Sequence, residues 1–131
     1  MHENHKNITK KEIFVFGSNL AGRHGKGAAL FARQKHGAIL GIGVGLQGNS
    51  YAIPTKDERL NVLPLTVINK YVTLFLEFAK ENTTYTFNVS AIGCGLAGYK
   101  PEQIAPMFKN CSENINLPPE FNYAISFEED K

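Results

Sequence analysis

Three loops of the sequence combine glycine with side chains that can bind an anion. The first, GSNLAGRHGKGAA, follows an apolar run and starts at Gly17. The second is IPTKDER and the third is IGCGLAGYK, and each of these also follows a run typical of a strand. Glycine lets backbone amides approach a ligand closely, and a helix start directs free N–H groups and a positive dipole end at an anion. The pattern therefore favours a site for a pyrophosphate group.

The first loop combines two cations with three inner glycines. Arg23 and Lys26 lie in it, the helix is expected to begin near Ala28, and its inner glycines are Gly22, Gly25 and Gly27. The amide of Asn19 can bond a ribose hydroxyl or a base edge. The spacing fits neither the dinucleotide fingerprint nor the Walker motif. For any one of these loops, the alternative is that its glycines only turn the chain. Because such a loop follows each of three strands, a ligand site is favoured.

Strands and helices alternate along the chain. The predicted strands are EIFVFGS, SYAIP, YTFNVSAIG and FNYAISF, and the predicted helices are GAALFARQKHG, LPLTVINKYVTLFLEFAKEN and KPEQIAPMFKNC. This order predicts a single three-layer α/β/α domain with a mixed, mostly parallel sheet. Ligands of such sheets bind beyond the carboxyl ends of the strands, so the three loops are expected to meet there.

Length and composition indicate one domain and narrow its function. With 131 residues and 43% hydrophobic content the chain can bury a core, and we expect a flexible tail over residues 1–11 and a domain over residues 12–131. A formal charge of +2 gives no support for duplex binding. Cys94 and Cys111 fit neither a metal site nor a disulfide framework, which indicates a reducing cytoplasm. The sequence shows no signal peptide and no apolar run of bilayer length, so no membrane is expected.

The order of GKGAALFARQKHG, YAIPTKD and AIGCGLAGY resembles the macrodomains, which are α/β modules that bind ADP-ribose. The resemblance is greatest to the branch of terminal ADP-ribose glycohydrolases that act on modified glutamate. It covers about residues 14–108, and its most specific part is IGCGL at residues 92–96. It implies a macrodomain-like fold that binds ADP-ribose or a related nucleotide, with ADP-ribosylated protein or nucleic acid as further partners and with no cofactor or metal.

The resemblance also implies roles for individual residues. The loop around the distal ribose would consist of Gly25, Lys26, Gly27 and Ala28, and the diphosphate would be wrapped by the amides of Gly93, Cys94, Gly95, Leu96, Ala97 and Gly98. Thr55 precedes Lys56, which matches the lysine that attacks the anomeric carbon in the hydrolases. A partly desolvated amine beside other cations loses its proton more easily and can then form an imine-type adduct. Apart from the resemblance, the position of Tyr99 just past this turn indicates that its ring stacks on adenine, covers the ribose or caps the core.

One position departs from the family pattern. The hydrolases carry an aspartate after GCGL that handles protons, and this chain has Ala97, which can do no acid or base work. Asp57 and His24 are the candidate replacements, on condition that their side chains face the ligand, although a carboxylate at Asp57 would also favour the charged form of Lys56. Three functions remain: an ADP-ribose-binding module, which Ala97 favours, a hydrolase with Lys56 as nucleophile, and a regulator that binds another nucleotide signal or a partner protein.

Overall fold

An apolar strand lies at the centre of a five-stranded sheet in the computed structural model, which describes residues 11–129. The strands are β1 (Lys11–Asn19), β2 (Gly45–Gln47), β3 (Ser50–Lys56), β4 (Tyr85–Val89) and β5 (Ile115–Asn116), in the order β2-β3-β1-β4-β5. β1 runs parallel to β3 and β4, β5 is parallel to β4, and only β2 is antiparallel to its neighbour. The mixed, mostly parallel sheet is confirmed. The predicted tail lies outside the described residues, apart from Lys11, which begins β1.

Helices cover both faces of the sheet because the side chains of β1 alternate between two apolar layers. Ile13 and Val15 face the layer formed by α2 (Leu65–Glu81), α3 (Pro101–Ile104, continued by a 3-10 turn over Ala105–Phe108) and α4 (Pro119–Glu129). Phe16 faces the layer formed by α1 (Gly27–Lys35). The three-layer α/β/α architecture agrees with the prediction.

The two layers differ in the size of their side chains. On the α2 side, Phe75 is fully buried, and its ring lies 5.0 Å from Tyr51 and 5.3 Å from Phe87 between centroids. On the α1 side the buried residues are mostly alanines, namely Ala29, Ala32, Ala38 and Ala52, packed with Phe16. Most of the hydrophobic stabilisation therefore comes from the α2 side, while α1 packs on methyl groups.

The predicted final strand FNYAISF is a helix, and the prediction is wrong there. Phe121 is fully buried 5.7 Å from Phe108, and Tyr123 is 73% exposed on another face of the helix. The alternation of apolar and polar residues suggested a strand, but Pro119 at the first helical position and Glu120 in the first turn are signals of a helix start. The last strand is instead the two-residue β5.

Pro54 was expected to end the strand that contains it, and β3 instead continues to Lys56. Pro54 pairs with Ser18 of β1 next to a shift of register between Ser18 and Asn19. A proline has no N–H for the ladder and is tolerated at such irregularities. The two residues that extend the strand are Thr55 and Lys56. They lie at the carboxyl end of β3, where the candidate site is located.

Candidate functional site

A cavity of about 930 Å³ lies at the carboxyl ends of β1, β3 and β4. This volume is near the upper end of the range of small-molecule sites and suits a ligand of nucleotide size. Its walls come from all three loops that the sequence analysis selected, together with the first turn of α1 and the start of α4. The parallel strands bring these loops together because their carboxyl ends share one edge of the sheet.

The first loop is closed by its own asparagine. The amide of Asn19 donates to the carbonyl of Arg23 at 3.0 Å and accepts from the backbone N–H of Arg23 at 2.9 Å. Gly22 has a φ of 71°, and a Cβ there would lie 2.3 Å from the backbone of residues 41–42, so only glycine fits. Asn19 lines the cavity, but its side chain already holds the loop in shape, which leaves it less free for a ligand than the sequence implied.

The start of α1 lines the cavity without a side-chain cap. Lys26 at the N-cap makes no capping hydrogen bond, and the first turn contains no acidic residue. The first N–H of the helix that is bonded to a carbonyl is that of Leu30, which donates to Lys26 at 3.2 Å, so residues 27–29 retain unused N–H groups among the described contacts. Arg23 and Lys26 are exposed in the same part of the cavity wall. Free donors, the helix dipole and two cations together favour an anion.

The third loop contributes a second set of backbone donors. Gly93 has a φ of 79° and packs against Ile104, and Gly98 has a φ of 85° and donates to the carbonyl of Gly95 at 3.0 Å. Within the described part of the chain, the N–H groups of residues 95–97 donate to no protein acceptor, and these three residues line the cavity. A Cβ on Gly95 would meet no atom within 4 Å, which shows that the loop borders open space.

Lys56 reaches the cavity from the end of β3. Its carbonyl accepts a hydrogen bond from the N–H of Leu20 at 2.9 Å, which joins the first two loops. The neighbouring Thr55 is buried and donates through Oγ1 to the carbonyl of Ser18 at 3.3 Å. Lys56, Arg23 and Lys26 thus line one cavity, as their positions after β3 and β1 predicted.

The two proposed proton carriers lie outside the cavity lining. The carboxylate of Asp57 accepts hydrogen bonds from the backbone N–H groups of Asn61 at 2.8 Å and Arg59 at 2.9 Å, and these bonds lower its pKa. His24 is fully buried, with Nε2 at 3.0 Å from the carbonyl of Ile39, so this nitrogen carries the proton and donates it. Neither residue is placed to exchange a proton with a ligand in the cavity.

Tyr99 and Gly98 also lie outside the lining. The hydroxyl of Tyr99 donates to the carbonyl of Leu63 at 2.6 Å, and its ring packs under Gly93. Of the three roles considered for Tyr99, the contacts support that of capping the core. Gly98 only turns the loop, through its positive φ.

Cys94 lines the cavity as a protonated thiol. Burial first, and then the nearby carboxylates of Glu120 and Glu102, raise its pKa to about 11. The thiol points to the carbonyl of Ile92 at 3.6 Å. The thiolate is the nucleophilic form of cysteine, so Cys94 is a wall residue and not a nucleophile at neutral pH.

Several residues of the wall were not selected by the sequence analysis, and two of them are Glu120 and Leu60. Glu120 comes from the start of α4, and the helix-start signal at Pro119 could have revealed it. Leu60 lines the cavity with a φ of 68°, a conformation that leucine rarely adopts. No sequence signal marks Leu60, because its conformation is set by the turn that Asp57 closes.

Comparison of the chain with protein-family models, with curated proteins and with solved structures finds no match. Within residues 11–129 no group of three or more histidine, cysteine, aspartate or glutamate residues could hold a metal ion. No helix in the same range is both long and apolar enough to cross a membrane.

Proposed function

We propose that the protein binds ADP-ribose, or a closely related diphosphate nucleotide, in the cavity at the carboxyl ends of the strands. One observation carries the proposal: the uncapped start of α1 and the unused amides of residues 95–97 line the same cavity as Arg23 and Lys26. Two sets of backbone donors suit two linked phosphoryl groups, and the volume leaves room for the nucleoside and sugar. The macrodomain resemblance of the same loops supports ADP-ribose as the ligand.

Binding without turnover is the better supported form of this proposal. The two candidate replacements for the aspartate that hydrolases carry where this chain has Ala97 do not line the cavity, because Asp57 and His24 are held elsewhere by hydrogen bonds. General acid–base catalysis needs a group within hydrogen-bond reach of the reacting atoms.

The main test is calorimetric titration with ADP-ribose, AMP, NAD and cyclic nucleotides. We expect ADP-ribose to bind more tightly than AMP, since AMP lacks the second phosphoryl group. The Lys26→Ala variant should bind ADP-ribose about tenfold more weakly, because a charged hydrogen bond to phosphate is lost. Lys35→Ala removes an equal charge from the last turn of the same helix, away from the cavity, and should bind like the wild type.

A lack of preference for ADP-ribose over AMP would contradict the proposal. Tighter binding of another nucleotide in the same titrations would instead favour the third function, a regulator that responds to a different nucleotide signal. Equal losses in Lys26→Ala and Lys35→Ala would show that the charge acts only through the net charge of the protein.

Hydrolysis by Lys56 is a second candidate, which is favoured by the position of this lysine in the cavity wall. If its amine attacks the anomeric carbon, borohydride reduction in the presence of ADP-ribose should attach the nucleotide covalently to Lys56. Mass spectrometry would locate the adduct, and Lys56→Ala should abolish it, while Lys80→Ala, a change at an exposed position of α2, should not. We expect no adduct if the protein only binds; labelling of Lys56 would establish the chemistry of the hydrolase.

A further inference from the structure

The segment between α1 and β3 exposes a dense group of aliphatic side chains. Residues 39–46, here called the aliphatic loop, contain five large apolar side chains that are each 40–60% exposed, namely Ile39, Leu40, Ile42, Val44 and Leu46. A Cβ on Gly41 or Gly45 would meet no atom within 4 Å, so the loop faces open space at both positions. None of the five side chains lines the cavity. Single exposed apolar residues are ordinary, whereas five in one short loop indicate an interaction surface.

Two buried polar side chains hold the aliphatic loop in this shape. The amide of Gln47 accepts a hydrogen bond from the N–H of Ile39 at 2.7 Å and donates one to the carbonyl of Ile42 at 3.0 Å. Nε2 of His24 lies 3.0 Å from the carbonyl oxygen of Ile39. Gln47 and His24 are both buried. Because these backbone groups bond inward, an apolar partner can cover the loop without leaving them unpaired.

Cations lie beside the aliphatic loop, and this part of the chain contains no carboxylate. Lys35 is the last residue of α1, just before the loop. The N–H of Gly41 donates to the carbonyl of Gly22 at 2.8 Å, which places the neighbouring Arg23 next to the loop as well. Residues 13–56 contain five lysine or arginine residues and no aspartate or glutamate. The charge of this region therefore favours an anionic partner.

The composition of the region distinguishes among the possible occupants. A second copy of the chain would bring the cations of both copies together, with no carboxylate of residues 13–56 to pair them. The hot spots of protein interfaces are enriched in tryptophan, tyrosine and arginine and poor in leucine and valine, and the aliphatic loop has the opposite composition. A bilayer with anionic headgroups requires only apolar side chains and nearby cations. A lipid surface therefore fits the loop better than a protein does.

We propose that the aliphatic loop docks the protein on an anionic lipid surface. Its aliphatic side chains enter the boundary between headgroups and acyl chains, and Arg23 and Lys35 remain at the level of the lipid phosphates. Such docking needs no apolar run of bilayer length, which is the feature on which the expectation of no membrane rested. It is also independent of the nucleotide proposed for the cavity.

The test is sedimentation of the protein with vesicles of phosphatidylcholine and phosphatidylserine, compared with vesicles of phosphatidylcholine alone. We expect the mixed vesicles to bind the protein about tenfold more strongly, and added salt to weaken this binding. Leu40→Ala should weaken it about tenfold, because less apolar surface is then buried in the lipid. Leu74→Ala is the matched control, since Leu74 is 53% exposed on α2, and it should bind like the wild type.

A second pair of variants separates local charge from net charge. Lys35→Ala should bind the mixed vesicles about fivefold more weakly, because one cation near the lipid phosphates is lost. Lys80→Ala changes the net charge equally at an exposed position of α2 and should bind like the wild type.

A lack of binding to the mixed vesicles would overturn the proposal, and so would equal binding to both kinds of vesicle. Equal losses in Leu40→Ala and Leu74→Ala, or in Lys35→Ala and Lys80→Ala, would overturn it as well. Sedimentation velocity without lipid tests the second copy as occupant. We expect no association through the loop, and a dimer that Leu40→Ala dissociates would replace the lipid surface by a second copy of the chain.

Discussion

The absence of a Cβ atom at two glycines allows neighbouring loops to approach one another closely. A Cβ on Gly43 would lie 2.1 Å from the carbonyl oxygen of Asn19, and Gly22 meets residues 41–42 in the same way. The buried ring of His24 also bonds this segment, because its Nε2 lies 3.1 Å from the carbonyl oxygen of Ile42. The glycines near the cavity thus serve two purposes, since some allow loop contact and others, such as Gly95, leave room for a ligand.

Cys94 is expected to resist alkylation near neutral pH. Its pKa is raised from an ordinary 9.0 to about 11, so the thiolate is scarce below that range. The rate constant for iodoacetamide should rise about tenfold per pH unit up to near pH 11, because only the thiolate reacts. Mass spectrometry would follow the modification, with Cys94→Ser as a control that leaves Cys111. A rate that levels off near pH 9 would contradict this prediction.

Residue types and spacing were sufficient to select Lys26, Lys56 and Gly95, which line the cavity, because each follows a strand that ends on the same side of the sheet. The orientations of the Asp57 and His24 side chains could not be predicted from residue types and spacing. Asp57 turns back to its own loop to accept two backbone N–H groups, and His24 turns into the protein to meet carbonyls 15 and 18 residues away. Such directions depend on local turns and distant contacts, which residue spacing does not encode.

Among the elements, α4 shows how a short pattern can mislead. Its apolar residues alternate with polar ones, which is typical of a strand, yet the buried partner of Phe121 is Phe108 on the preceding 3-10 turn. Tertiary packing decides the conformation of such an ambiguous segment. The longer α2 was predicted correctly, because its apolar stripe repeats over 17 residues and leaves no comparable ambiguity.

The packing of α4 is expected to depend on Phe121. Phe121→Ala should lower the free energy of unfolding by about 3–5 kcal/mol, because it leaves a cavity against Phe108. Tyr123→Ala removes an aromatic ring that is 73% exposed on the same helix. This substitution should change the free energy of unfolding by less than about 0.5 kcal/mol. Urea denaturation would measure both variants. Equal effects of the two substitutions would show that Phe121 is not the anchor of the helix.

At the scale of the whole molecule, the fold class followed from the alternation of strands and helices, whereas the shape of the cavity did not. The three-layer arrangement requires only that each element bury an apolar face. The cavity also depends on the course of α4, which brings Glu120 to its wall, and on the turn that holds Leu60 with a positive φ. These features arise from contacts between segments that are far apart in the sequence.

The alanine layer beneath α1 has a consequence for affinity. Ala29 and Ala32 of α1 pack with Ala38, with Ala52 of β3 and with Phe16 of β1, so α1 contacts the sheet mainly through methyl groups. The small alanine side chains keep the layer between α1 and the sheet thin. A bulkier side chain at Ala32 would push the helix away from the sheet and move the amide hydrogens of its first turn away from the cavity. For the nucleotide proposed as ligand, affinity would then depend partly on side-chain volume at a position outside the cavity lining.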